Sequence, residues 1–437
     1  MLQAQRRQTD QWKSGTRVNA QLRARSAERT RSMILDLIRA HGRISRVELA
    51  ALTGLTESTI SSTVREIIAD GLVLETGFSE STGGKRRTLL GINHAARHGV
   101  GLTIDHERLT YVVADFAGEL VGSLTAEGTG DVHPDNVIVR MASEVKSLLR
   151  DLQVDPVSVV GIGVASPGPL DGRAGVLRGR QPTPEWSGYP LRGRLEDVSG
   201  YRVALDNDAT CGAVGELWTS RRGAPRPVSA TVYMADGIGC GILIDGGAFH
   251  GTSANAGELG HICLDLNGPK CSCGGRGCVE VYAGPAAVVA RASKDRALVK
   301  RLDLDPDRGH RSNFARIVKN AARGDEQCLE LVTFSARHLA RGIVTLCNIL
   351  DLDEVFLSGP GFSEAGAIYS LVIQDELDAA TFMRSVHPVR VDVANIGSEA
   401  AALGAATLIL KQELTPHSVL RSAGSRVTLP VQLGAGA

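Results

Sequence analysis

Gly257–Glu280 reads GELGHICLDLNGPKCSCGGRGCVE, and its chemistry sets the frame for everything on either side. His261, Cys271, Cys273 and Cys278 supply one imidazole and three thiols, a standard tetrahedral donor set for structural Zn2+. The three cysteines fall within eight residues, and the histidine lies ten residues before the first. Asn267, Gly268 and Pro269, then Gly274, Gly275 and Gly277, provide turn residues that let the chain double back and bring the donors together. The competing reading is a group of unrelated buried or free cysteines, of which Cys263 in the same stretch is one. Ligand type and spacing favour zinc.

A second role overlaps the first. Glu258 stands three residues before His261, and Glu280 follows two residues after Cys278. A histidine that gives one ring nitrogen to a metal keeps the other N–H to donate. Donors and acceptors then converge on one loop, which suits a polyhydroxylated ligand such as a sugar. Alternatively, both glutamates are simply solvated.

A chain of 437 residues holds two or three domains with cores of their own. Net charge is zero, yet residues 1–97 carry 16 Lys and Arg against 9 Asp and Glu, and residues 98–437 carry 32 against 39. A basic front on an acidic body implies that the front alone meets a polyanion. No apolar run spans a membrane, and the basic start lacks the apolar stretch of a signal peptide. Cys211, Cys240, Cys328 and Cys347, scattered through apolar segments, fit a reducing cytoplasm. A cytoplasmic protein without a membrane partner is expected.

Residues 1–26 read as a flexible basic arm and 27–97 as a winged helix-turn-helix. Ile34, Leu35, Leu37 and Ile38 form one apolar helix face that ends at Gly42. Ser45 and Glu48 have capping-box spacing, opening a short helix that stops at Gly54. A second helix starts at Thr56, with Ile60, Val64 and Ile67 inward and Ser58, Thr59, Ser61, Ser62 and Arg65 outward. That outward face is short enough to enter a major groove. Two strands, 72–75 and 87–92, flank a loop whose Lys85, Arg86 and Arg87 are placed to meet phosphates or enter a minor groove. The bland alternative is a helical hairpin with a surface charge cluster.

From Val100 the texture becomes α/β. Strands at 100–105, 110–115 and 120–124 precede a helix at about 136–152 and a buried strand at 158–165. A strand at 202–205 leads into Asp206, Asn207 and Asp208. Ligands in open α/β sheets lie at the carboxyl ends of strands, so Asn207 and Asp208 are placed to bind hydroxyls. The same residues also read as an Asx cap for the helix from Ala209. Gly237, Gly239 and Gly241 mark a turn that suits either phosphate approach or a hairpin. Helices at 285–293, 314–324, 326–349 and 399–410, with a strand at 354–357, complete the body; 413–437 read as a loose tail.

Glu258-x-Gly260-His261 and Cys271-x-Cys273-Gly274-x-x-Gly277-Cys278-x-Glu280 resemble the ROK family of repressors, open reading frames and sugar kinases. Gly161-Ile162-Gly163, Pro167-Gly168-Pro169, Trp186, Pro190-Leu191 and Asn207-Asp208-Ala209 are supporting matches, and the resemblance covers about residues 98–410. It implies an α/β fold: the winged helix-turn-helix followed by a two-lobed actin- or hexokinase-like (ribonuclease H-like) ROK domain. The lobes would be 98–215 with 397–412, and 216–396, with sugar between them. By resemblance Asn207, Asp208, Glu258, His261 and Glu280 bind the sugar, and His261, Cys271, Cys273 and Cys278 bind zinc. The front end is similar to the repressor branch, such as xylose and N-acetylglucosamine repressors.

The departures separate this chain from the kinases. Where those begin the body with Asp-x-Gly-Gly-Thr, this chain has Asp105-His106-Glu107-Arg108. Where they read Gly-Thr-Gly-x-Gly, it has Ala235-Asp236-Gly237-Ile238-Gly239. Lost glycines and added carboxylates at both phosphate loops oppose ATP binding. The expected function is a non-enzymatic, sugar-responsive repressor of carbohydrate-metabolism genes, with Asp208 as a relic base. Its partners would be operator DNA, a monosaccharide or sugar-derivative effector, and a second copy in a homodimer or dimer of dimers. The alternatives are an ATP-dependent ROK sugar kinase fused to a DNA-binding domain, and an activator or DNA-binding protein whose body only oligomerises.

Overall fold

A computed structural model describes residues 27–79, 86–179, 182–219, 227–394 and 396–414. The proposed arm, Lys85 of the wing and the tail from 415 lie outside the described residues. Two compact units emerge: the described residues up to Ala96 with those from Leu410, and Arg97–Ile409.

The first unit opens with helix α1 (27–41), whose Ile34, Leu35 and Ile38 are buried. Strand β1 (Ile44–Ser45) then leads into α2 (Arg46–Thr53). The capping box forms: Ser45 N donates to Glu48 Oε2 at 2.8 Å and Glu48 N to Ser45 Oγ at 3.3 Å. Gly54 ends α2 in the left-handed conformation at φ 67°, which a side chain would resist. Helix α3 (Glu57–Ala69) follows, capped by Thr56 and burying Ile60, Val64 and Ile67. Strands β2 (Val73–Phe78) and β3 (Thr88–Ile92) pair antiparallel, with β1 on the other side of β3.

The second unit repeats one plan. Strands β4 (His98–Thr103), β5 (Arg108–Asp115) and β6 (Leu120–Glu127) form an antiparallel meander. After α4 (Pro134–Asp151), β7 (Val159–Ser166) adds parallel to β4. The short pair β8 (Leu170–Asp171) and β9 (Val176–Leu177) and helix α5 (Leu191–Ser199) then lead to β10 (Val203–Asn207), parallel to β7. Helix α6 (Asp208–Thr219) closes this half. Strands β11 (Val228–Met234), β12 (Ile238–Ile244) and β13 (Gly247–Ala248) form a second meander. Helices α7 (Glu280–Ala283), α8 (Pro285–Ala292), α9 (Arg296–Leu302), α10 (Gly309–Ala322) and α11 (Glu326–Leu350) precede β14 (Glu354–Ser358). Helix α12 (Gly366–Ala380) and β15 (Arg390–Val393) follow, and β14 and β15 add parallel beside β11.

The sheet orders are β10-β7-β4-β5-β6 and β13-β12-β11-β14-β15. Counting only the strands of each sheet and reading the first from β6, both run third, second, first, fourth, fifth. Each sheet has its own apolar core: Val100, Tyr111, Met141 and Ile162 in one, Val232, Ile317, Leu339 and Tyr369 in the other. Each such buried aliphatic contributes about 1.5–3 kcal/mol.

Helix α13 (Ala400–Leu414) returns to the first half. There it presses backbone to backbone: a Cβ on Gly101 would lie 1.8 Å from Ala402 O, and one on Gly404 would lie 1.7 Å from Cys211 O. Only glycine allows this approach. The helix runs on to Lys411, whose ammonium burial disfavours and Asp36 of α1 supports. No helix among the described residues is long and apolar enough to cross a membrane.

Candidate functional site

The metal-ligand stretch folds as expected of a donor cage. His261 ends a short 3₁₀ turn, and Cys263 and Cys278 form an isolated bridge that closes the loop. The ligand atoms of His261, Cys271, Cys273 and Cys278 all lie within 4.8 Å of one another. Cys271 Sγ is 3.5 Å from His261 Nδ1, and Cys273 Sγ is 3.7 Å from Cys278 Sγ. A tetrahedral zinc with Zn–S bonds of about 2.3 Å has S···S edges of about 3.8 Å and slightly shorter N···S edges. The donor set therefore fits a tetrahedral metal ion, and Cys263 stands outside it. Nδ1 faces the thiols, which leaves Nε2 for a ligand outside the cage.

The residues named for sugar binding largely converge. Asn207 ends β10, and its Oδ1 accepts from Ala209 N at 3.0 Å and Thr210 N at 3.2 Å, capping α6. The cap reading is thus correct for this atom, while Nδ2 points elsewhere. A Cβ on Gly168 would sit 3.4 Å from Asn207 Nδ2, 3.2 Å from Glu258 Oε1 and 3.6 Å from Asn255 Oδ1. Gly168 therefore faces three polar side chains, each close to where a side chain of its own would begin. Asn255 is itself anchored, accepting from Leu170 N at 2.8 Å and donating to Leu170 O at 2.9 Å. Sequence reading passed over Asn255 because a lone asparagine in a Ser- and Ala-containing loop carries no spacing signal.

Asp208 opens α6. Burial pushes its carboxyl up to about 6, opposed by its hydrogen bond with Ala209 N and reinforced by the charges of Glu258 and Asp105. Burial also raises Glu258, with His261 opposing and Glu280 adding to the shift. Glu280 is partly committed: its Oε2 accepts from Ile238 N at 3.0 Å and braces the β11–β12 hairpin.

At that hairpin sits a feature no motif announced. Arg311, in the first turn of α10, reaches Asp105 Oδ2 at 2.6 Å and Asp236 Oδ1 at 3.1 Å. One guanidinium thus joins Asp105, which stands at the aspartate of the first kinase loop, to Asp236, the carboxylate that departs from the second. Asp105 Oδ1 also accepts from Glu107 N at 2.8 Å, tightening the turn after β4.

On the helix-turn-helix, Ser58, Ser62 and Arg65 of α3 are exposed and Thr59 and Ser61 half-buried. The Thr59 hydroxyl lies 2.9 Å from Thr56 Oγ1, tied into the cap. Arg86 and Arg87 are exposed at the base of the wing, closed by Ser79 N donating to Arg87 O at 2.9 Å.

Comparison with known proteins adds names to this geometry. A winged helix-turn-helix DNA-binding model matches residues 28–73. The xylose repressor of Caldicellulosiruptor bescii is 26% identical over 389 residues, covering 88% of this chain and 96% of that one. The glucokinase of Thermotoga maritima is 29% identical over 299 residues, covering 67% and 90%. A solved ROK family transcriptional regulator, a homologue of the E. coli MLC protein, superposes with a TM-score of 0.72 at 22% identity, over 89% of this chain and 97% of its own. The ROK family model matches residues 112–412, well over half the length, and the chain belongs to the ROK family.

Proposed function

We propose that this chain is a sugar-responsive transcriptional repressor of carbohydrate-metabolism genes. Operator DNA binds through 27–97, and a monosaccharide or sugar derivative binds between lobes 98–215 with 397–412 and 216–396. The observation that carries the reading is the convergence of Glu258 Oε1 and Asn207 Nδ2 on Gly168, in a chain with a winged helix-turn-helix. An acceptor and a donor facing one bare glycine suit vicinal hydroxyls. The match to a xylose repressor over 88% of this chain supports the same reading.

Asn207, Asp208, Glu258, His261 and Glu280 serve the sugar. Ser58, Thr59, Ser61, Ser62 and Arg65 face the groove, and Lys85, Arg86 and Arg87 the phosphates. Zinc on His261, Cys271, Cys273 and Cys278 fixes the histidine so that its second nitrogen can donate. The protein works in the cytoplasm as a homodimer or dimer of dimers, without a membrane, and catalyses nothing. Sugar acts by binding two arrangements of the lobes with different affinity. Operator gel-shifts with and without a sugar panel test this: one sugar should weaken the complex, and indifference to all of them overturns the reading.

A kinase reading has one observation in its favour, the Asp208 carboxyl at about 6, which suits a general base near neutral pH. Release of ADP in the presence of ATP, magnesium and a hexose would establish it. No release above background is expected.

A further inference from the structure

The proposed sugar site has a charged wall. Asp105 follows β4 and Asp208 follows β10, and both strands run parallel to β7 between them, so both residues stand over the same sheet edge. The β11–β12 hairpin bearing Asp236 reaches the same place because α6 lies directly on β12. A Cβ on Gly239 would be 2.9 Å from the Cβ of Ala209, the neighbour of Asp208. Arg311 ties Asp105 to Asp236 at 2.6 and 3.1 Å. Glu107 stands beside them, its Oε1 2.4 Å from where a Cβ on Gly309 would lie. Three carboxylates against one guanidinium leave the wall net negative. His106 and Arg108 are exposed, where water and salt screen them.

Arg311 cannot turn outward to meet an anion. Its terminal nitrogens are engaged by carboxylates, and its Nε is buried without a hydrogen-bond partner. Releasing it would leave the half-buried Asp105 without its cation. A phosphate ester carries nearly two negative charges at neutral pH. Placed beside Asp208 it would face the like charge of that carboxylate and of Asp105, whereas a hydroxyl there meets groups that both donate and accept.

We infer that the effector is an uncharged monosaccharide and that this wall excludes sugar phosphates. The inference rests on the sugar-binding reading above and adds the chemical class of the ligand. Titration calorimetry on the full chain tests it, with common aldopentoses, aldohexoses and N-acetylamino sugars, each beside its terminal phosphate. At least one uncharged sugar should bind, with its phosphate about tenfold or more weaker. Asp236→Asn, at a side chain 45% exposed, should narrow that ratio, and Arg311→Gln should widen it. Thermal melts establish that each variant is folded, and Asp236→Asn suffices if Arg311→Gln is not. A phosphate that binds as tightly as its parent sugar overturns the inference, as does a ratio unmoved by Asp236→Asn. Silence from every sugar and phosphate is a separate result: it removes the sugar reading itself.

Discussion

Gly168 has polar atoms on three sides and no room for a side chain facing them. Gly168→Val should therefore push aside Glu258 and Asn207, the two groups proposed to hold the sugar. Calorimetry should show sugar affinity falling by a hundredfold or more, about 3 kcal/mol, beside an overpacking cost of about 1–3 kcal/mol in stability. Asp208 gives a pH prediction. Its folded carboxyl lies at about 6 against an ordinary 3.8, so protonation favours the fold. That contribution is fully present below 3.8 and lost as pH rises through 6. Asp208→Asn should then exceed the parent in stability at pH 8, by about 3 kcal/mol at most, with the gain vanishing near pH 3.5. Urea unfolding at both pH values measures it. Asn207 was legible as either cap or ligand because one side chain has two ends, and the fold uses its Oδ1 as the cap. Arg311 was not legible, since its partners lie 206 positions away at Asp105 and 75 positions away (311 − 236) at Asp236.

Among the elements, the donor loop was the most legible, since thiols and imidazole at short spacing have few other uses. Cys273→Ser, or chelation, should remove bound zinc, read by atomic absorption, and weaken sugar binding by loosening His261. A variant that keeps its metal would exclude Cys273 as a ligand. In α3, Ser58, Ser62 and Arg65 of the expected outward set are exposed, Thr59 and Ser61 are half-buried, and Thr59 spends its hydroxyl on the Thr56 cap. Arg65→Ala should lower operator affinity across sequences and reduce the slope of log K against log salt by about one, measured by fluorescence anisotropy. Helix α10 begins at Gly309, five residues before the start expected at Phe314. Glycine, histidine, serine and asparagine are poor helix formers, and the turn is held instead by Asn313 Nδ2 donating to Gly309 O at 3.0 Å and Asp305 O at 2.6 Å. That hidden turn is the one that carries Arg311.

Over the whole molecule, most strands were legible one at a time, but the shared order of the two sheets was not. Equivalent strands use different residues, and the order lives only in their pairing. Helix α13 runs to Leu414, four residues beyond the expected end at Leu410. Gly404→Ala should cost more than the usual 1–3 kcal/mol of overpacking, because its new methyl would meet a backbone carbonyl at 1.7 Å. Calorimetric melting should show the loss, and an unchanged midpoint would mean that α13 sits farther off.

Helices usually rest on sheets through a cushion of side chains that can flow. Beneath α13 that cushion is missing at Gly101, and at Gly404 the chain behind Cys211 touches it directly. Cys211 belongs to the helix that Asn207 caps and Asp208 begins. Any shift of that helix therefore has no soft layer in which to dissipate and passes directly to α13.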